Sequence, residues 1–159
     1  GYDVLVEMDS DLSHDPAQLP ALLTGVHGSP VLAIGSRYVA GGRIPDWSLH
    51  RRWLSRYGNR YAARLLRMDV TDATSGFRVY DAEALGRVDL DAVQAEGYGF
   101  QIEMTYRLSG LGPVIELPIH FVERTHGASK MSLPIVAEAF LLVTRWGLEE
   151  RLRHIGRRR

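Results

Sequence analysis

A short apolar segment that ends in two closely spaced aspartates limits what the first part of this chain can fold into. Residues 4–6 are typical of a buried β-strand, and Asp9 and Asp11 follow it closely. Asp15-Pro16 then predicts a helix start, because aspartate caps helices and proline suits the first helical position. Residues 31–36 predict a second buried strand. A strand, a helix and a strand joined by short loops predict an α/β fold with a parallel crossover.

The rest of the chain continues this alternation within one domain's length. Helices are predicted at residues 49–68, 81–84, 98–108 and 133–154, and strands at 78–80 and 114–122, where Pro118 indicates an edge or a bend. We expect a single domain over residues 1–159. Its last part, about 131–159, is expected to form an amphipathic terminal helix that becomes basic toward its end.

The composition excludes several classes of site. The chain has no cysteine, which rules out disulfides, thiolate nucleophiles and cysteine metal sites. No signal-peptide pattern is visible, and no run of about eighteen apolar residues would span a bilayer. The net charge is zero and no nucleic-acid-binding module is recognisable, so nucleic acid is not an expected partner.

Positive and negative side chains are segregated along the chain. Residues 1–30 hold five acids and no Lys or Arg, whereas residues 43–67 hold seven Arg and one Asp. Four of these Arg recur at every fourth position of one predicted helix: Arg52, Arg56, Arg60 and Arg64. An acidic edge that faces basic segments suits a ligand set with two anionic groups, although a solvated charged face also explains the Arg stripe.

Asp9 and Asp11 are the candidate metal ligands. Residues two apart at the end of a strand point to the same side, so both carboxylates would converge on one point. Hard oxygen ligands of this kind suit Mg²⁺ or Mn²⁺ with phosphate oxygens on the far side of the ion. Alternatively, one Asp caps a helix and the other is solvated. A phosphatase of the haloacid dehalogenase type also has such a pair after a strand. That family needs a second acidic pair later in the chain to bind Mg²⁺, and none stands at a convincing strand end in this sequence.

Basic residues in several loops add candidate anion ligands. Arg37 ends the second predicted strand, Arg78 follows the turn at Ser75, and Arg124 precedes Lys130 in a glycine-containing loop. Arginine binds phosphate oxygens through two parallel hydrogen bonds, although each such residue taken alone is more often a structural ion-pair partner.

Five motifs together carry a resemblance to a known family. They occupy residues 8–16, 35–42, 72–78, 99–103 and 124–130 in that order. Together they resemble dolichol- or polyprenol-phosphate mannose synthases, which are family 2 glycosyltransferases of the GT-A fold. The resemblance implies a mostly parallel sheet flanked by helices. It also implies that the nucleotide-binding βαβ half, which normally precedes the Asp pair, is missing from this chain.

The resemblance implies a role for each candidate residue. Asp9 and Asp11 would hold the divalent cation on the diphosphate of GDP-mannose. Arg37, Arg51 and Ser55 would meet the lipid phosphate, and Arg124 and Lys130 the donor diphosphate. Ser75, Arg78 and Glu103 complete the expected substrate-binding set. Asp11, Arg37 and Arg124 are the residues expected to act in catalysis.

The implied activity is metal-dependent, inverting transfer of mannose to a polyprenyl or dolichyl phosphate by a protein bound peripherally at the cytoplasmic face of a membrane. Two alternatives stay open: transfer of another sugar, such as glucose from UDP-glucose, and a non-catalytic binding module of the same fold. Without the preceding half, we expect this chain alone to bind GDP weakly and to be inactive.

Overall fold

The computed structural model describes residues 1–45, 47–122 and 133–156, with only the backbone described for residues 133–135 and 153–156. Four strands and five α-helices alternate along these residues, and a short 3₁₀ turn at Pro16–Gln18 precedes the first helix. They are β1 (Val4–Glu7), α1 (Leu19–Gly25), β2 (Leu32–Ser36), α2 (Leu49–Leu65), β3 (Arg78–Asp81), α3 (Ala82–Gly86), α4 (Gly97–Ser109), β4 (Val114–Pro118) and α5 (Leu133–Gly156).

The predicted helix starts are confirmed by their caps. The Asp15 carboxylate accepts a hydrogen bond from the backbone N–H of Ala17, and the Asp81 carboxylate accepts one from Ala84. Each bond satisfies an N–H that the first helical turn leaves without a partner. The helix predicted at 49–68 ends somewhat earlier, at Leu65.

The four strands form one sheet in the order β1-β3-β2-β4. β2 and β4 are parallel, whereas β3 lies between β1 and β2 and is antiparallel to both. The α/β class is confirmed, and β1, β2 and β4 run in the same direction. The expected mostly parallel arrangement is corrected at the level of pairing, because β3 returns between the two strands of the crossover and makes two of the three neighbouring pairs antiparallel.

The sheet separates two clusters of buried side chains. Leu32 and Ile34 of β2 face one cluster with α2, α4 and α5, whereas Ala33 between them faces the other with α1. This alternation follows from the two-residue period of a strand. All three side chains are completely buried, as predicted for this strand, and each large apolar side chain contributes about 1.5–3 kcal/mol through its burial.

β1 differs from the prediction of a buried strand. It lies at one edge of the sheet, and its Leu5 and Val6 side chains are 42% and 44% exposed. A run of apolar residues indicates that a strand can be buried but does not show which elements cover it. The sequence pattern therefore could not predict that β1 is a partly exposed edge strand. β4, with Pro118, forms the opposite edge, as predicted.

Candidate active site

The two candidate metal ligands lie in the turn that follows β1. β1 ends at Glu7, so Asp9 and Asp11 are not part of a strand and the expected two-residue alternation does not apply to them. The turn is instead fixed by Ser13, whose backbone N–H and hydroxyl both donate to Asp11 Oδ1, at 3.1 and 2.5 Å. Leu12 adopts a left-handed conformation (φ 64°), which reverses the chain between them.

Asp9 contacts the loop that enters β3. A side-chain Cβ at Gly76 would lie 3.2 and 3.3 Å from the two Asp9 carboxylate oxygens, so glycine leaves room for the carboxylate there. The backbone N–H of Asp9 donates to Nδ1 of His14 at 3.3 Å. Burial lowers the pKa of His14, although the Asp9 and Asp11 carboxylates act in the opposite direction. A neutral imidazole is the form that can accept this hydrogen bond.

His14 connects the acidic turn to the cationic side of the site. Its ring stacks on Phe77 with 5.1 Å between centroids and meets the edge of Phe121 at 5.4 Å. The Arg37 guanidinium carbon lies 5.5 Å from the centroid of that same Phe121 ring. The Asp pair and Arg37 therefore lie on either side of a small aromatic cluster at one end of the sheet.

Arg37 forms a buried ion pair with Asp72. Its Nε and one terminal nitrogen donate to the two carboxylate oxygens at 2.8 and 2.6 Å, and its backbone N–H donates to the same carboxylate at 2.9 Å. Burial would lower the pKa of Arg37, but the Asp72 carboxylate outweighs this and raises the pKa. Arg37 is therefore permanently charged, and two of its nitrogens are committed to the protein.

A polar network extends the Arg37–Asp72 pair to α2. Arg37 also donates to the Thr74 hydroxyl at 2.9 Å, and Asn59 Nδ2 donates to the same hydroxyl at 3.1 Å. Asn59 accepts in turn from the Thr74 backbone N–H, also at 3.1 Å. At the other end of the network the Tyr38 hydroxyl donates to Ser55 Oγ at 2.7 Å.

The structure brings together the three residues predicted to meet the lipid phosphate. The Arg51 guanidinium carbon lies 4.0 Å from the centroid of the Trp47 ring, and that of Arg37 lies 5.3 Å from it. Ser55 lines the same cavity as Arg37, a space of about 80 Å³ between α2, α4 and α5. Most of its wall is apolar, with Leu54, Phe140 and Val143 among the lining residues.

Three predicted substrate-binding side chains have internal hydrogen-bond partners in the structure, and their contact with a substrate stays a prediction. Arg78 is completely buried and donates to the carbonyls of Ala73, Ser75 and Gln101, so it holds the loop before β3 against α4. The Ser75 hydroxyl is buried and donates to the Gly35 carbonyl at 2.6 Å. Both side chains are used by the protein itself, because polar groups taken out of water need internal partners.

Glu103 is the third predicted substrate-binding residue whose side chain has internal partners. It is buried and accepts from Arg107 at 2.6 and 2.9 Å and from the backbone N–H groups of residues 94 and 95. Its oxygens thus tie the middle of α4 to the loop that precedes this helix. Arg124 and Lys130 lie outside the described residues, so their predicted contact with the donor stays a prediction.

The residues described fit a divalent cation bound by two protein carboxylates. No group of three or more acidic, histidine or cysteine side chains in the described ranges is placed to hold a metal ion. Mg²⁺ does not require such a group, because it is commonly held by one or two carboxylates together with water and substrate phosphates. Asp9, which is exposed, and Asp11, which is half-buried, offer that donor set.

Sequence reasoning did not assign a role to Asp72, Asn59 or Glu116. Glu116 of β4 accepts from the backbone N–H groups of residues 71 and 72 at 2.6 and 2.8 Å and so fixes the Asp72 loop. Asn59 lies on the same buried side of α2 as Ala62 and Ala63 and is 1% exposed. These residues fix the loops of the site through internal hydrogen bonds.

No helix in the described part of the chain combines the length and apolar character needed to cross a membrane.

Comparison with known proteins gives two kinds of match. Residues 1–89 match the family described as "Glycosyl transferase family 2". The chain is 51% identical over 152 residues to the undecaprenyl-phosphate mannosyltransferase of Micrococcus luteus. This alignment covers 95% of this chain and 62% of that protein. It is 47% identical over 153 residues to the polyprenol monophosphomannose synthase of Mycolicibacterium smegmatis, covering 96% of this chain and 58% of that protein. The chain thus spans about three-fifths of the length of these relatives.

Proposed function

Because this chain belongs to glycosyl transferase family 2, we propose that it carries the acceptor side and the metal site of an enzyme that transfers mannose from GDP-mannose to a polyprenyl phosphate. The observation that carries the proposal is the placement of the Asp9–Asp11 turn and the Arg37–Arg51–Ser55 group on two sides of one aromatic cluster. The names of the two similar proteins, a mannosyltransferase and a phosphomannose synthase, support the choice of sugar and acceptor.

The proposed chemistry requires charge stabilisation more than proton transfer. A phosphate monoester is already ionised at neutral pH, so its attack on the sugar C1 needs no strong general base. Arg51, with the buried Arg37 behind it, attracts the acceptor phosphate, and Ser55 adds a hydroxyl beside it. Asp9 and Asp11 would hold Mg²⁺ or Mn²⁺, which supplies positive charge to the departing diphosphate. Arg124 and Lys130 are proposed to contact that diphosphate.

The acceptor phosphate and the donor diphosphate are both negatively charged and would repel each other. We propose that the protein binds them through separate positive groups. Asp72 binds the Arg37 guanidinium through both of its carboxylate oxygens and so supplies a counter-charge to this arginine. The cation is proposed to bind at the acidic turn, and the acceptor phosphate on the arginine side. We propose that this separation sets the line along which the acceptor approaches the donor.

We further propose that α2 and α5 lie against a membrane surface, where a polyprenyl acceptor would be found. Leu49, Trp53 and Tyr57 of α2 are 81%, 68% and 52% exposed, and the last two rings stack with 5.4 Å between centroids. Exposed leucines also lie along α5, at positions 141, 148 and 152. Apolar and aromatic side chains interleaved with arginine are typical of helices in the interface of an anionic bilayer. We also propose that this is the cytoplasmic surface of the membrane.

Transfer of radiolabelled mannose tests this function. The chain, alone and extended upstream by about 80 residues, roughly two βαβ units, would be incubated with GDP-mannose, Mn²⁺ and a polyprenyl phosphate. We expect the extended version to form labelled lipid and the short version to form little. UDP-glucose in place of GDP-mannose tests the alternative sugar, and absence of transfer from both donors would leave the non-catalytic alternative.

Two matched substitutions make this assay specific. Asp9→Asn should lower transfer at least about 100-fold, the size of losing one charge-stabilising group, because it removes half of the carboxylate pair. Asp69→Asn is the control, since Asp69 is also an exposed carboxylate but lies between α2 and β3. If both variants lost activity equally, the acidic turn would have no special part in the reaction.

A further inference from the structure

A cleft lined by arginines lies beside the proposed acceptor site. Its volume is about 290 Å³, and Arg43, Arg52 and Arg56 line it together with Arg37, next to the side chain of Tyr38. The remaining lining residues are Gly42, Ile44 and Pro45, so no described lining residue is acidic. Four guanidinium groups converge on this space, and Asp72 neutralises only that of Arg37.

Among the described residues, the partners of Arg52 and Arg56 are uncharged. Arg52 donates to the Ile44 carbonyl at 2.7 Å, and its Nε is buried without a hydrogen-bond partner. The guanidinium carbon of Arg56 lies 5.1 Å from the centroid of the Tyr38 ring. Arg43 is exposed, and only its backbone is paired, with Ile119 and Phe121. Convergent cations without a counter-charge repel one another, so an anion bound between them would stabilise the arrangement.

The cleft is preformed by a glycine that closes its wall. A Cβ on Gly42 would lie 2.7 Å from the Ser36 carbonyl oxygen and from the Arg37 carbonyl carbon, so only glycine permits this approach. The contact folds the loop after Tyr38 back over the end of β2 and holds Arg43 and Ile44 opposite α2. The ligand therefore meets arginines that are already positioned, and less conformational entropy is lost on binding.

We propose that this arginine cleft binds a phosphate ester, and that the ester is the headgroup of an anionic membrane phospholipid. The choice of a lipid rests on the proposed function and on continuity with the exposed apolar side of α2. Leu49, at the start of that helix, and Trp53 next to Arg52 and Arg56 would enter the interface while the arginines reach the phosphate. The site is separate from the Arg51–Ser55 group assigned to the acceptor phosphate, although the two share Arg37.

Vesicle binding without substrate tests the cleft. The chain would be mixed with sedimenting vesicles of phosphatidylcholine containing phosphatidylglycerol, without polyprenyl phosphate, GDP-mannose or metal. The key variant is Arg43→Gln/Arg56→Gln, and the matched control is Arg60→Gln/Arg64→Gln, which removes the same amount of charge from a part of α2 outside the cleft. General attraction gives roughly a fivefold loss per arginine for both pairs.

We expect the cleft variant to lose at least tenfold more vesicle affinity than the control, with little binding of any variant to pure phosphatidylcholine. Equal losses in the two pairs would overturn the proposal, because the arginines would then act only through their charge. Arg52→Gln should lose more than the roughly fivefold affinity that one arginine contributes through general attraction, and circular dichroism of each variant shows whether the fold is intact.

A soluble arm separates a lipid from a free phosphate. Inorganic phosphate and glycerol phosphate, tested by thermal shift, should protect the chain only weakly at concentrations far above those of vesicle lipid. Strong protection by these ions that the cleft variant abolishes, together with unchanged vesicle binding, would contradict the lipid assignment. None of these readouts depends on mannose transfer, so a failure of the proposed function would leave this result interpretable.

Discussion

Replacing Asp72 by alanine tests the claim that Arg37 is first of all a buried ion-pair partner. Alanine removes three acceptors from Arg37 at once, one for the backbone N–H and two for the guanidinium. Thr74 then remains as the one hydrogen-bond partner of a side chain that is 6% exposed. The positive charge would stay buried without a counter-charge.

The expected loss of stability follows from that uncompensated charge. Breaking a buried pair by removing one partner costs about 3–5 kcal/mol. For a domain of this size each kcal/mol lowers the melting temperature by about 2–4 °C, so Asp72→Ala should melt roughly 6–20 °C lower. Urea unfolding followed by circular dichroism gives the free energy directly.

A variant without either charge separates the loss of the pair from other effects of the substitution. Arg37→Met/Asp72→Leu replaces both charges by apolar side chains, and we expect it to be at least about 2 kcal/mol more stable than Asp72→Ala. If Asp72→Ala cost less than about 1 kcal/mol, or the double variant recovered nothing, the reasoning that Arg37 depends on Asp72 would be refuted.

The sequence was sufficient to predict the elements but not their partners. Local signals placed β2, α2 and the caps at Asp15 and Asp81, because periodicity and capping act over a few residues. The insertion of β3 between β1 and β2 depends on contacts between distant segments, which no local pattern contains.

The candidate site shows the same division. The structure brings Arg37, Arg51 and Ser55 near one another, but the sequence did not show that Asp72, 35 residues from Arg37, would occupy two of its nitrogens. The internal role of Arg78 was missed for a related reason. Its burial depends on backbone carbonyls from two separate segments, the loop before β3 and α4, and a backbone carbonyl does not depend on which residue carries it.

Three further predictions address the packing of α5, the loop before β3 and the metal. Gly147→Ala would place a Cβ 2.5 Å from Leu65 Cγ and should lower the free energy of unfolding in urea by about 1–3 kcal/mol. The control Gly58→Ala meets no atom within 4 Å and should stabilise α2 by about 0.5–1 kcal/mol. Equal effects of the two substitutions would argue against the close contact between α2 and α5. Arg78→Met should unfold at clearly lower urea, since several buried carbonyls lose their donors at about 1–3 kcal/mol each, and unchanged stability would contradict the supporting role. Asp11→Asn should weaken Mn²⁺ binding measured by calorimetry at least about tenfold in the extended protein, and wild-type affinity would remove Asp11 from the proposed ligand set.

The most direct test of the account is a comparison of Michaelis constants for the two substrates in the extended protein. The acidic turn is proposed to bind the donor and its metal, and Arg51 is proposed to bind the acceptor phosphate. Arg51→Gln should therefore raise KM for polyprenyl phosphate at least about tenfold and leave KM for GDP-mannose nearly unchanged, because one charge-assisted contact contributes about 1.5–3 kcal/mol. Arg87→Gln, which removes an exposed arginine after α3, is the control. A rise in the KM for GDP-mannose with no change for the lipid would contradict the assignment of the two anions to the two sides of the site.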